Sequence, residues 1–239
     1  MNASYTWSHS IDMGSDAERA GGWTGGSFSN ILNTWKPYLN KGSSDFDTRQ
    51  LLTVDMVYLL PFGRGKAVLG GANRVADAII GGWQLSGINR TTSGLPFSLF
   101  EPGWSTNWQI ESYGVQTGKL KVKRYYDTNG DPQYFSSPNG INSGLSNGSP
   151  ERLPYPGEAG QRNPYRGDGY FDIDTGLSKT WALPERATLK FAWEVYNVTN
   201  TVRFDPASID SGLTDGSLGV ASSLLTSPRR MQFSLRADF

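Results

Sequence analysis

What this 239-residue chain lacks narrows its function before any motif is read. It has no cysteine, so disulfide staples and thiolate metal sites are excluded. Its one histidine is His9, which leaves a Ser-His-Asp triad a single imidazole to build on, and no enzyme is expected. Lys plus Arg and Asp plus Glu both number 22, which removes the electrostatic case for nucleic acid. No run approaches the roughly 20 apolar residues of a membrane-spanning helix. A transmembrane β-barrel escapes that test, because only every second residue of its strands must be apolar. The opening Met1-Asn2-Ala3-Ser4-Tyr5-Thr6-Trp7 has neither a basic nor an apolar leader. Such a start is expected of a cytoplasmic protein, a mature form or a fragment.

What is present is alternation. From Arg230 to Phe239 the odd positions Met231, Phe233, Leu235, Ala237 and Phe239 are apolar, and the even positions Arg230, Gln232, Ser234, Arg236 and Asp238 are polar. Successive strand side chains point to opposite faces, so this is a strand with one greasy and one wet side. It ends on an aromatic, as membrane barrels often do, although a C-terminal strand of a soluble sandwich reads the same way. The same alternation marks Ala3 to Trp7, Asp45 to Pro61, Phe171 to Trp181 and Leu189 to Tyr196. A further extended stretch runs from Ile79 to about Phe100, with a bulge expected near Gly87, where the alternation falters. The eight Trp and eleven Tyr suit the interface girdle of a barrel and equally a carbohydrate-binding surface.

Three tempting motifs have blander readings. Gly63-Arg64-Gly65-Lys66 lacks the spacing and the hydroxyl of a phosphate loop and reads as a basic turn. Asp127-Thr128-Asn129-Gly130-Asp131 lacks the glutamate of a calcium loop and reads as the turn of a short hairpin, Lys119 to Tyr126 with Gln133 to Phe135. The charged residues Asp172, Asp174, Lys190, Glu194, Arg236 and Asp238 all fall on the polar face, where a wet wall explains them without acid/base catalysis.

The connections alternate in length: residues 12–44 long, 61–78 intermediate, 101–166 very long, 182–187 short and 200–228 long. Outer-membrane barrels alternate long extracellular loops with short periplasmic turns, and soluble sandwiches follow no such rule. At this point the chain resembles a family. Asp45-Phe46-Asp47-Thr48-Arg49 with Tyr58-Leu59-Leu60-Pro61-Phe62-Gly63-Arg64-Gly65-Lys66 is similar to the late barrel of TonB-dependent outer-membrane transporters of the Oar-like group. So are Gly81-Gly82-Trp83-Gln84-Leu85-Ser86-Gly87-Ile88, Thr92-Ser93-Gly94-Leu95-Pro96-Phe97 and Glu194-Val195-Tyr196-Asn197-Val198-Thr199-Asn200, together with the terminal Phe239.

The resemblance implies an all-β fold: residues 1–239 as an antiparallel transmembrane β-barrel segment, the last six strands of a plugged barrel of about 22 strands. It implies a place in the bacterial outer membrane and import of a large or scarce nutrient, with no cofactor. The implied partners are outer-membrane lipid, the rest of the barrel and its plug upstream, and the TonB complex through that upstream part. The barrel-assembly machinery is a further partner, reading Met231, Phe233, Leu235 and Phe239 as its C-terminal signal. Trp104, Trp108, Tyr125 and Tyr126 of the longest loop are the candidates for ligand contact. The alternative is a soluble or surface β-sandwich that binds carbohydrate through its loop aromatics. His9, near a strand end, is expected at an interface rather than on a metal.

Overall fold

The computed structural model describes residues 1–15, 31–101, 112–120, 122–135, 150–214 and 216–239. Six long strands form one sheet: β1 (Asn2–Trp7), β2 (Gln50–Leu59), β3 (Trp83–Thr92), β4 (Phe171–Ala182), β5 (Thr188–Tyr196) and β6 (Arg230–Asp238). Each pairs antiparallel with its neighbour in sequence, so the sheet is a simple meander with β1 and β6 as its edges. These are the six strands expected from the alternation.

The registers carry each apolar row across the sheet. Phe233 stands opposite Trp193, Trp193 opposite Leu177, Leu177 opposite Leu85, and Leu85 opposite Tyr58. Directly opposed residues share a face. Leu52, Val54, Met56 and Tyr58 of β2 therefore lie on the same side as Met231, Phe233 and Leu235, which settles the mixed pattern of that strand. Rings tie this face together: Trp193 stacks on Phe233 at 5.8 Å, and Phe191 meets Trp83 edge-on at 6.1 Å. The other face carries Asp55, Arg90, Asp172, Asp174, Lys190, Glu194, Arg236 and Asp238.

Nothing covers the apolar face of most of the sheet. Trp7 is 70% exposed, Phe233 65% and Leu235 68%, and among the buried apolar residues only Val195 belongs to one of the six strands. A sandwich requires a second sheet packed there. Among the described residues there is none, so the soluble sandwich reading is set aside.

Two local expectations are corrected. The ladder passes Gly87 without a register shift, with Met56 on one side and Thr175 on the other. No bulge exists, and the missing side chain leaves room for Met56, whose Cε would lie 3.2 Å from a Cβ at that position. The faltering alternation comes instead from Asn89 and Thr91, polar residues on the apolar face. They bond inward, Asn89 Nδ2 to the Asp172 carbonyl at 2.9 Å and Thr91 Oγ1 to Asn89 Oδ1 at 3.2 Å. Second, Ile79 and Ile80 are not extended. They end a helix, α1 (Arg74–Ile80), capped by Asn73 Oδ1 on the Ala76 N–H at 2.8 Å and stopped by Gly81-Gly82.

The one charged residue on the apolar face, Lys179, is only 4% exposed. It sits under the end of α1, where its Nζ donates to the carbonyls of Asp77 and Gly81 and lies 5.4–5.7 Å from the rings of Trp181 and Trp83.

At the opposite end of the sheet the chain crosses itself closely. A Cβ on Gly94 would fall 1.9 Å from the Gly167 carbonyl oxygen, whereas one on Gly71 would meet nothing within 4 Å. Gly94→Ala is therefore expected to cost about 1–3 kcal/mol. The measurement is trypsin cleavage after Arg162 and Arg166 in the detergent-extracted protein, faster in this variant than in the Gly71→Ala control.

Candidate functional site

The described parts of the long connections do not trail from the sheet; they fold into a body with its own core. It is fastened to the sheet just before β2. Asp45 and Asp47 are each 1% exposed, on a turn closed by the Asp47 N–H on the Ser44 carbonyl at 2.9 Å. Asp47 accepts from the Ser10 N–H at 2.8 Å, lies 2.9 Å from His9 Nδ1, and pairs with Arg166. Arg166 also donates to the Gly94 carbonyl at 2.9 Å. Asp45 accepts from Arg162 at 3.1 Å and from Asn163. Arg162 is buried and reaches Asp12 at 2.6 Å. Two connections, the one between β1 and β2 and the one after β3, are thereby joined by one network of charges. Burial raises the pKa of Asp47, but the Ser10 N–H, His9 and Arg166 outweigh it and hold the carboxyl below the usual range. Asp12 follows the same balance, with Ser44, Ser15 and Arg162 overcoming burial.

Above this root lies an apolar core of Phe97, Leu99, Tyr134, Phe135, Tyr165, Ile209, Leu213, Leu218 and Ala221. Phe97, Phe135 and Tyr165 meet pairwise at 5.9–6.2 Å. A second cluster gathers Leu32, Phe100, Tyr113 and Ala159. The Tyr165 hydroxyl donates to Glu151, which is 1% exposed. Burial pushes the Glu151 carboxyl up to about 7 against the lowering effect of that bond. The connection after β5 starts from Asn197, 2% exposed, whose Nδ2 donates to the carbonyls of Thr201 and Ser227. Its φ of 49° is one that asparagine tolerates.

The expected hairpin is present, with Val122–Tyr126 paired to Pro132–Phe135. Its Asp127 Oδ1 accepts from the N–H groups of Asn129 and Asp131 at 2.8 and 2.9 Å, which is turn chemistry. Tyr125 and Tyr126 are successive residues of one strand, so they point to opposite sides: Tyr126 is 54% exposed, while Tyr125 is half-buried with its pKa raised by burial and by Asp127. The structure does not bring the two rings to one platform. Trp104 and Trp108 lie outside the described residues. Met231, Phe233 and Leu235 stand on the open apolar face of β6, and Phe239 follows the strand fully exposed.

The loop body meets the sheet on its polar face. A cavity of about 250 Å³ lies between Arg90 and Thr92 of β3, Tyr170, and Thr48, Asp168 and Leu225 of the loops. Farther along the same face, Asp55, Ser86, Asp174, Glu194 and Tyr196, with the apolar Val57 and Ile88, line a hollow of about 390 Å³. The arrangement can hold a polar solute by hydrogen bonds and charge. Among the described residues no group of three or more His, Cys, Asp or Glu is placed to hold a metal.

The residues that reading the sequence missed are the fasteners Asp45, Asp47, Arg162, Asn163 and Arg166. The first two stood within the segment expected as the start of a strand from Asp45, which the structure instead begins at Gln50. Arg162 and Arg166 were visible as two arginines in a Gly/Pro-rich loop, with no local signal of a partner more than 100 positions away.

Residues 1–232 match the model of a family described as the outer membrane beta barrel domain. No curated protein and no solved structure matches the chain.

Arg162→Met removes one partner of a buried ionic cluster and is expected to destabilise the loop body by about 3–5 kcal/mol, measured as a lower urea midpoint for loss of loop protection in hydrogen exchange. Glu151 gives a pH dependence of known sign. Its proton is held more tightly folded than unfolded, so its contribution is full below its ordinary value near 4.5 and is lost as pH rises through about 7. Amide protection of Tyr134 and Phe135 should fall between pH 5 and 8, and Glu151→Gln should flatten that fall.

Proposed function

Since the chain belongs to the outer membrane β-barrel family and its wall sits in the bacterial outer membrane, we propose that it is one arc of a TonB-dependent active importer. The six-stranded sheet leaves one edge of β1 and one of β6 unpaired. In hydrocarbon each unpaired N–H or C=O costs several kcal/mol, so both edges call for further strands of the same barrel. The plug and the segment that engages TonB belong to that remainder. The β6 row of Met231, Phe233 and Leu235, ending in Phe239, serves as the signal to the barrel-assembly machinery.

The observation that carries an import reading is the loop body. Segments from the connections before β2, after β3 and after β5 fuse into one unit that stands over the polar face and encloses a cavity with it. A simple pore has no need of so large an ordered structure above its wall. In this reading the loops take up a polar ligand outside, Tyr126 and the unplaced Trp104 and Trp108 among the contacts, and the polar wall passes it inward. The mechanism is a difference in ligand affinity between plug states rather than bond chemistry. The nutrient class stays broad: something large or scarce.

Outer membranes probed with an antibody to residues 227–239 should show a heat-shifting band several times heavier than 26.2 kDa; a band at the chain's own mass would sink the larger-barrel reading. Phe233→Arg should lower the amount of assembled barrel, at a cost of about 2–4 kcal/mol if the site lies near mid-membrane, whereas Gln232→Arg on the polar face should assemble normally. Ligand uptake that survives a protonophore would count against TonB coupling.

A further inference from the structure

The connection between β2 and β3 is longer than a barrel turn needs, and it spends its length on α1. The helix is fastened to the outside of the wall. Trp83 Nε1 donates to the Ile79 carbonyl at 2.8 Å, Trp181 Nε1 to the Ala78 carbonyl at 2.7 Å, and Lys179 Nζ to the carbonyls of Asp77 and Gly81. Trp83, Lys179 and Trp181 all belong to the apolar face, in the row opposite Phe191 and Leu189. The free carbonyls at the helix's C-terminal end are thus satisfied from the lipid side of the sheet, at the rim where β3 begins and β4 ends.

The helix is amphipathic about that attachment. Asp77 turns toward the wall and the preceding turn, its Oδ1 accepting from the Arg64 N–H at 2.6 Å. Val75 and Ile79, one turn apart, lie on the opposite side and are 73% and 65% exposed. Arg74 at the start of the helix, and Arg64 and Lys66 in the turn that Asp77 holds, are exposed. An exposed apolar stripe on a helix attached to a wall that lies in lipid, with exposed cations at the helix start and in the turn before it, is the pattern of an interfacial helix.

The geometry points to α1 as a lipid-binding foot on the outside of the barrel. Val75 and Ile79 enter the boundary between headgroups and acyl chains, and Arg64, Lys66 and Arg74 meet anionic headgroup phosphates. Trp83 and Trp181 belong to the aromatic girdle at that level. The occupant is the membrane surface rather than another protein, because the stripe continues the lipid-facing wall and its charge complements anionic lipid. The inference rests on the barrel reading only in taking the face of Phe233 and Leu235 as lipid-facing.

The absence of cysteine makes single labels simple to place. Val75→Cys, Ile79→Cys, Leu235→Cys and Gly71→Cys are each introduced into the protein as it occurs in outer membranes and labelled with bimane. The protein is then reconstituted into phosphatidylethanolamine–phosphatidylglycerol vesicles with or without acyl-chain bromine. Labels at 75 and 79 should lose about half their emission to brominated lipid and be shielded from iodide, as at 235, while the label at 71 shows the reverse. Quenching at 235 with iodide access at 75 and 79 overturns the foot and leaves the barrel standing. Shielding from both quenchers at 75 and 79 means that protein covers the helix, and also overturns it. Failure of bromine to quench at 235 would overturn the barrel orientation itself.

Discussion

A peptide group in hydrocarbon has no water to turn to, and most of this architecture follows from that constraint. The six strands meet it by pairing in sequence order, so that every inner strand has both rows of backbone groups bonded. Pairing fixes the pleat, and the pleat decides which side each residue takes. The apolar row from Tyr58 to Phe233 and the polar row with Asp174 and Glu194 are two consequences of one ladder. Three polar residues on the apolar face have partners. Asn89 and Thr91 bond inward, and Lys179 is covered by the end of α1. A bare cation on such a face would cost about 2–4 kcal/mol at mid-membrane and less near an interface. Its place at the rim and its carbonyl partners act in the same direction.

Much of the wall was legible because period-two alternation is local. Met231 to Phe239, Leu189 to Val195 and Phe171 to Leu177 declare their faces without reference to any other segment, and the observed registers keep them. The signal fails where a local cause competes with it. Gly87 imitated a bulge because it has no side chain to assign to a face, yet its neighbour Met56 occupies the space. Ile79 and Ile80 run directly into Trp83, and an apolar run cannot by itself be told from a strand. The Asn73 cap and the Gly81-Gly82 stop were the signals that would have separated them.

The loop body was the opposite case. Its core residues Phe97, Phe135, Tyr165 and Ile209 come from segments with no shared periodicity, and its fasteners join Asp47 to Arg166 and Asp12 to Arg162. Nothing within a window of the sequence announces such pairs. Composition announced aromatics, and the ligand candidates were chosen from them. The structure turns Tyr125 inward and Tyr126 outward, a distinction that adjacency in sequence conceals.

The difference between one short turn and the long connections bears on the order in which the protein is made. Within the wall only β4 and β5 close across a short turn, 183–187, while β1 with β2, β3 with β4 and β5 with β6 close across 8–49, 93–170 and 197–229. The roof gathers residues near 97, 135, 165 and 213, which lie inside two of those long connections, so roof and wall close the same loops. Loop-closure entropy therefore favours β4 with β5 as the first pairing and leaves the pairings under the roof, with the roof itself, to close late. Until then Phe97, Phe135 and Tyr165 travel unburied, so the chain is most prone to aggregate in the interval between translocation and completion of the wall.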